Sequence, residues 1–158
     1  MKKTKFRIVS DSFGQMKVPS NKYWGAQTQR SLQNFTINDE KMPKWLIRSL
    51  VLIKKACALA NAKAKKLDQK KAKIIVQVCD EILSGKFADN FPLSIWQTGS
   101  GTQTNMNVNE VIANRANHLV KQEKYIHPND HVNMSQSTND VFPTGIHVMC
   151  ALLTRDKL

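Results

Sequence analysis

The sequence predicts a mainly α-helical protein with one short β-hairpin near its N-terminus. Over several long stretches, apolar residues recur at steps of three and four, the spacing that places side chains on one face of a helix. Only residues 6–19 alternate in the manner of paired strands. The 158 residues are 41% hydrophobic and 23% charged, with 6 Gly and 5 Pro. That composition is typical of a globular domain and excludes disordered and collagen-like chains.

The first predicted elements are the hairpin and two consecutive helices. Residues 6–19 turn at Ser12–Gln15, which predicts the hairpin. Pro43 suits a helix start, where its missing N–H is not needed, and a second helix is predicted from Gln69 to just before Gly85. A lysine-rich turn joins the two helices, so we expect an αα-hairpin. The predicted core stripes are Leu46, Leu50, Ile53, Cys57 and Ala60 in one helix, and Ile74, Ile75, Val78, Cys79 and Ile82 in the other.

Two further helices are predicted in the second half of the chain. The first carries Val108, Val111, Ile112, Arg115 and Leu119 on one face. In the second, Asn139 and Asp140 suit the N-cap and Pro143 the first turn. This last pattern reaches Leu158 without a stop signal. Its apolar stripe, which has no predicted partner helix, consists of Ile146, Met149, Cys150 and Leu153.

The positive charge of the chain is concentrated in one segment. Lys and Arg number 24 against 12 Asp and Glu, a formal net charge of +12. Eight lysines and a single acid, Asp68, lie between Lys54 and Lys73. Nucleic-acid surfaces usually add arginine and stacking aromatics, and this segment has neither. We therefore interpret it as a solvated face and expect no nucleic-acid partner, although a basic helical module that binds an anion or nucleic acid stays the alternative from another class.

The remaining composition points to a cytoplasmic protein without metal or membrane segment. Its three cysteines (Cys57, Cys79, Cys150) are widely spaced, so we expect buried thiols in a reducing compartment. No apolar run approaches the ~18 residues of a membrane span, and the basic start is not followed by the apolar core of an export signal. The spacing of His127, His131 and His147 is not that of a zinc site.

Two segments combine small and hydroxyl residues directly before a predicted helix. Gly99–Thr102 lets backbone N–H groups face a ligand, and its hydroxyls add donors, which is how helix starts bind small anions. Ser135–Asp140 repeats the arrangement with an added amide. Taken alone, each segment is better explained as an ordinary capped loop.

Two further polar features leave alternatives open. The turn His127–His131 could bind an anion or a metal, or be a satisfied surface turn. Asparagines are poor helix formers, yet five of them occur in the third predicted helix. They predict either a buried amide network or a wet face, and they are Asn105, Asn107, Asn109, Asn114 and Asn117.

Three motifs, taken together, resemble class II fumarases over nearly the whole chain. They are Thr98–Ala116, Tyr23–Ser31, and His127–Asp130 followed by Ser135–Thr144, in the family's order and spacing. Aspartase, a sister in the same superfamily, tends to carry Ala where this chain has Ser100. Ser100 and Gln103 therefore favour fumarase, with an aspartase-like ammonia-lyase as the alternative.

The resemblance implies an enzyme that reversibly hydrates fumarate to (S)-malate in the citric acid cycle, without metal or cofactor. It implies an N-terminal lyase domain at 1–136 and, at 137–158, the start of a long helical bundle that four subunits share in a homotetramer. The implied substrate-binding residues are Ser100, Gly101, Thr102, Ser137, Thr138 and Asn139. A second dicarboxylate site is implied at Lys124, His127, Pro128, Asn129 and Asp130.

Two departures from the family pattern accompany the resemblance. Lys124 stands where the family often has Arg, which keeps the charge but loses the bidentate fork. The family's catalytic serine loop and its helping histidine have no counterpart before Leu158, so no catalytic residue is assigned. We expect an N-terminal fragment, inactive alone, that a complementary C-terminal polypeptide could complete.

Overall fold

The computed structural model describes residues 5–157 and is mainly α-helical, as predicted. The basic start at residues 1–4, which entered the export prediction, lies outside the described residues. The strands and helices are β1 (Phe6–Asp11), β2 (Gly14–Pro19), α1 (Ala26–Asn34), α2 (Lys44–Lys63), α3 (Gln69–Leu83), α4 (Thr102–Val120) and α5 (Thr138–Lys157), with a short 3-10 turn at Ala88–Asn90 and a π turn at Pro128–Val132.

The β-hairpin forms as predicted and leads into α1. β1 and β2 pair antiparallel, with Asp11 opposite Gly14. Arg30 of α1 returns to this hairpin, because its Nε and Nη2 atoms donate to the Asp11 carboxylate at 2.9 Å each. The hairpin is thereby fixed against α1.

The predicted αα-hairpin of α2 and α3 is confirmed. The Asp68 side chain caps α3 by accepting from the N–H groups of Lys70 and Lys71. Gly85 follows the end of α3 with φ +94°, a conformation that favours glycine. The predicted stripe of α3 is buried at Ile75, Val78, Cys79 and Ile82.

The predicted core stripe of α2 is partly wrong. Leu46 and Leu50 are buried, but Ile53 and Cys57 are only half-buried and Ala60 is exposed. The buried face is displaced because Lys54, which the sequence analysis assigns to solvent, occupies a core position. Its Nζ donates there to two side-chain amide oxygens. The buried face instead includes Leu50, Val51, Lys54, Ala58 and Asn61.

Helix α4 runs through the centre of the molecule, and α5 packs against α2 and α4. Gly145 of α5 approaches Leu50 so closely that a Cβ atom would lie 2.9 Å from Leu50 Cδ2. On the other side of α5, Ile146 is 38% exposed and Cys150 is exposed. The predicted stripe is thus exposed at Ile146 and Cys150, whereas Met149 packs against the core and Leu153 is half-buried.

The predicted N-cap of α5 is wrong, because the helix begins before Asn139. The helix begins at Thr138, so Asn139 and Asp140 already lie inside its first turn. Ser137 takes the capping position instead, and its Oγ accepts from the Asn139 N–H at 3.3 Å. Serine is an equally good N-cap residue, which is why the sequence does not separate the two registers.

The expectation of three buried thiols holds only for Cys79. Burial raises the pKa of Cys79 to about 12, whereas Cys57 is half-buried and Cys150 exposed. Cys150 lies on the uncovered side of α5, which an apolar pattern in the sequence cannot distinguish from the covered side. In the part of the chain that is described, no helix has the length and apolarity needed to cross a membrane.

Candidate anion-binding site

The start of α4 presents open backbone donors. Gly101 precedes the helix with φ +70°, and a Cβ atom there would lie 2.4 Å from the ring of Phe142. Gln97 Oε1 accepts from the Thr104 N–H at 3.1 Å. Within residues 5–157 the N–H groups of Thr102 and Gln103 have no hydrogen-bond acceptor. The positive end of α4 is therefore left open to a ligand.

Two exposed hydroxyls stand at this open helix end. Ser100 Oγ and Thr102 Oγ1 lie 3.0 Å apart and both side chains are exposed. Gln103 folds back so that its Oε1 accepts from the N–H and the hydroxyl of Thr98. The loop is thus held by its own side chains while its serine and threonine face solvent.

The start of α5 meets the start of α4. Asn105 Nδ2 donates to Thr138 Oγ1 at 2.9 Å, and Phe142 covers Gly101. The two hydroxyl-rich segments, which begin 36 residues apart in the sequence at Gly99 and Ser135, are therefore brought to one place. Ser137 and Asn139 flank Thr138 and are exposed.

Two helix N-termini with neighbouring hydroxyl and amide groups suit a carboxylate. Each N-terminus carries partial positive charge and unpaired N–H donors. Hydroxyls and side-chain amides add hydrogen bonds whose direction fixes the orientation of the ligand. The arrangement can bind and orient an anionic group.

Three of the five α4 asparagines are buried as the first alternative predicts, whereas Asn114 and Asn117 are half-buried and donate to the carbonyls of Tyr23 and Ile126. Asn105, Asn107 and Asn109 are each at most 1% exposed. Asn107 Nδ2 donates to the Asn90 carbonyl at 3.0 Å, whereas Asn105 and Asn109 both donate to Asn133 Oδ1. The network thus lies directly behind the start of α4.

Lys54 also belongs to this network. The sequence analysis predicts it on the solvated face, and that prediction is wrong. Its side chain is fully buried, and Nζ donates to Asn133 Oδ1 at 2.8 Å and to Gln136 Oε1 at 2.9 Å. Burial lowers the pKa of Lys54 to about 8. Its spacing four residues after Leu50 and four before Ala58 is the one signal in the sequence that indicates a core position.

The other lysines of the run form the expected solvated face. Lys55 pairs with Asp80 at 2.6 Å. Lys71 is half-buried, and the remaining five are exposed, namely Lys63, Lys65, Lys66, Lys70 and Lys73.

At the predicted second dicarboxylate site, the side chains of His127 and Asp130 contact each other. His127 Nδ1 accepts from the Asp130 N–H at 3.2 Å and lies 3.1 Å from Asp130 Oδ2. Pro128 begins the π turn, and Asn129 is exposed. Lys124 is exposed with φ +59°, and in residues 5–157 no hydrogen bond joins its side chain to His127.

Lys71 is a cation beside this turn that the sequence did not indicate. Its Nζ lies 2.8 Å from His131 Nε2, and His131 Nδ1 accepts from the His127 N–H at 2.7 Å. Burial, followed by the charge of Lys71, lowers the pKa of His131. Across the described residues, no group of three or more His, Cys, Asp or Glu side chains could hold a metal ion.

The chain matches a family of known proteins over most of its length. Residues 14–158 match the model of a family described as Lyase, so the chain belongs to this lyase family. It is 57% identical over 157 residues to a protein of Campylobacter jejuni named Fumarate hydratase class II, covering 97% of this chain and 34% of that relative. A Bacillus subtilis protein of the same name is 53% identical over 156 residues, with the same coverage.

A solved structure agrees with the sequence relatives. The crystal structure of recombinant class II fumarase from Schistosoma mansoni is similar to this chain with a TM-score of 0.92 and 46% identity, covering 95% of this chain and 33% of that one. The resemblance to class II fumarases is therefore confirmed. The chain spans about a third of the length of the curated relatives it matches.

Proposed function

We propose that this chain is the N-terminal part of a class II fumarate hydratase, which reversibly hydrates fumarate to (S)-malate in the citric acid cycle. One observation carries the proposal. A chain similar at over 50% identity to proteins named Fumarate hydratase class II brings two open, hydroxyl-rich helix starts together, where a dicarboxylate would bind.

The proposed substrate-binding residues are those of the two helix starts. One carboxylate of fumarate accepts hydrogen bonds from the open N–H groups and hydroxyls of the first segment, and the second segment adds hydroxyl and amide donors. Removal of the C3 proton of malate pushes negative charge onto the adjacent carboxylate. Preorganised donors stabilise that charge, each contributing about 3–4 kcal/mol. These residues are Ser100, Gly101, Thr102, Ser137, Thr138 and Asn139.

The turn at His127–Asp130 is proposed as a second dicarboxylate site, with Lys124 as its cation. Support comes from the exposure of these side chains and from the family resemblance. A ligand would displace the contact between His127 and Asp130, so we expect binding to be weaker here than at the helix starts.

The remaining features of the proposal concern the whole enzyme. It comprises an N-terminal lyase domain at 1–136 and a helical bundle that begins at 137–158 and assembles into a homotetramer in the cytoplasm. The uncovered apolar side of α5, with Ile146 and Cys150, supports a helical partner there. The reaction uses no metal or cofactor, and a C-terminal segment supplies the catalytic base.

The test is the hydration activity of a completed enzyme. Residues 1–158 are joined to the C-terminal two-thirds of the Campylobacter jejuni relative, and loss of the fumarate double bond is followed by ultraviolet absorbance. We expect hydration without ammonia release from aspartate, and no hydration by residues 1–158 alone. Ammonia release would instead identify an aspartase-like lyase, and inactivity of a folded tetramer toward both substrates would contradict the proposal.

A further inference from the structure

Among residues 5–157, Lys54 is a buried charge without an anionic partner. Its side chain is 0% exposed, and both of its hydrogen bonds go to neutral amide oxygens. The ionisable groups that interact with it are thiols, Cys57 of α2 and Cys79 of α3, whose pKa values burial raises. Burying an ammonium group without a counter-charge costs free energy, so a lysine here indicates a role beyond packing.

The ammonium group sets the direction of the hydrogen bonds around it. A charged lysine has three donors and no acceptor, so Asn133 and Gln136 must both turn their side-chain oxygens toward Nζ. Their nitrogens face away from Nζ and donate to backbone carbonyls, Asn133 Nδ2 to Gln136 O at 3.2 Å and Gln136 Nε2 to Val132 O at 2.9 Å. Lys54 and these carbonyls together fix the orientation of both amides, and Lys54 is the partner that holds their oxygens.

The orientation of Asn133 in turn determines that of Asn105, which contacts the start of α5. Because Asn133 Oδ1 faces the network, Asn105 must present its Nδ2, at 3.2 Å. The same Nδ2 donates to Thr138 Oγ1 at 2.9 Å. Thr138 therefore accepts from Asn105, and in the described chain its hydroxyl hydrogen has no other partner.

We infer that Lys54 is a positioning residue of the anion site, which orients Asn133 and Asn105 so that the Thr138 hydroxyl donates to the ligand. This inference rests on the proposed function, since the ligand is taken to be fumarate. It assigns the residue no contact with the substrate. A polarised chain of hydrogen bonds also carries part of the positive charge toward the site.

The first experiment needs no ligand and uses the chain of residues 1–158. Amide hydrogen exchange is measured by NMR in wild type, in Lys54→Met and in Lys55→Met. The control removes the same charge one position further on, where the lysine pairs with Asp80 on the surface. We expect exchange at 133–139 to become at least about tenfold faster in Lys54→Met while α3 stays protected, and to be unchanged in Lys55→Met.

The second experiment measures fumarate affinity by NMR titration. We expect Lys54→Met to weaken binding about tenfold, and Lys55→Met to change it by less than about twofold. In wild type the dissociation constant should rise at least about threefold from about pH 7 to about pH 9.5. The reason is that Lys54, with a pKa of about 8, becomes a neutral amine. A neutral amine can also accept a hydrogen bond, so it no longer requires the amide oxygens to face it. Lys54→Met should lack this pH dependence, which a purely structural role would not produce.

The two experiments test the proposed function and the role of Lys54 separately. Wild type that binds no fumarate at any pH contradicts the proposed function, while the exchange experiment still decides the role of Lys54. Equal affinity and equal exchange in wild type and Lys54→Met would overturn the inference. If Lys54→Met does not fold, a wild-type affinity that is constant across the same pH range would overturn it.

Discussion

Glu110 of α4 is a buried carboxylate that holds the N-terminus of α1. It is 5% exposed, and its Oε2 accepts from the N–H groups of Gly25 and Thr28 at 2.9 and 3.1 Å and from Thr28 Oγ1 at 2.6 Å. Oε1 accepts from the Gln27 N–H at 2.9 Å. The carboxylate thus satisfies three helix-start donors at once, and its removal should destabilise the fold.

Glu110→Gln removes one of the four hydrogen bonds that the carboxylate accepts. The glutamine oxygen can take the place of Oε2 and keep three hydrogen bonds, but its amide nitrogen then faces the Gln27 N–H. One part-buried donor loses its acceptor, which costs about 1 kcal/mol, and the three remaining bonds lose charge assistance. Burial raises the pKa of Glu110, so relief of the buried charge offsets part of the loss. We expect a net destabilisation of about 2 kcal/mol, and about 4 kcal/mol for Glu110→Ala, which leaves all four donors unpaired.

The assay is equilibrium unfolding in urea at neutral pH, followed by circular dichroism. Glu123→Gln is the matched control, because Glu123 is exposed and should change the free energy of unfolding by less than about 0.5 kcal/mol. A Glu110→Gln variant as stable as this control would refute the assignment of the carboxylate as the clamp of α1.

Three further predictions concern the site. Thr102→Ala or Asn139→Ala should lower kcat/KM of the completed enzyme about a hundredfold, because each removes a donor to the developing charge. Gly101→Ala should destabilise the chain by about 3 kcal/mol in urea unfolding, through its left-handed backbone and its clash with Phe142. His131, whose pKa burial lowers, should titrate below about 6.5 by NMR. Its contribution to stability is present above that ordinary pKa and is lost as pH falls through the lower folded-state value.

Each of these predictions has its own control or contradicting result. An unchanged kcat/KM in both alanine variants would remove those residues from the site. Gly99→Ala is the control for Gly101, because a Cβ there meets nothing within 4 Å; equal stability of the two variants would contradict the argument. Lys71→Met should raise the His131 titration midpoint, and a midpoint that does not move would show that Lys71 has no influence on it.

The local features of the fold could be predicted from the sequence. The β-hairpin, the αα-hairpin and the late helices follow from periodicity and turn residues, which act over a few positions. The family resemblance likewise picked out the two hydroxyl-rich segments, and the structure places both at helix starts.

The features that depend on distant partners could not be predicted. Lys54 was assigned to solvent because its partners Asn133 and Gln136 lie 79 and 82 residues further along the chain. Nothing in the sequence indicates the role of Glu110, since its partners lie 82 to 85 residues earlier. A buried charge needs such partners, and a linear pattern does not reveal them.

The central claim is that the starts of α4 and α5 form a carboxylate site. The most direct test is an NMR titration of residues 1–158 with fumarate at constant ionic strength. We predict saturable shifts at the amides of Thr102, Gln103 and Thr138, with weaker binding of the cis isomer, maleate. Shifts confined to the lysine-rich segment 63–73, or equal effects of fumarate and chloride, would contradict the claim.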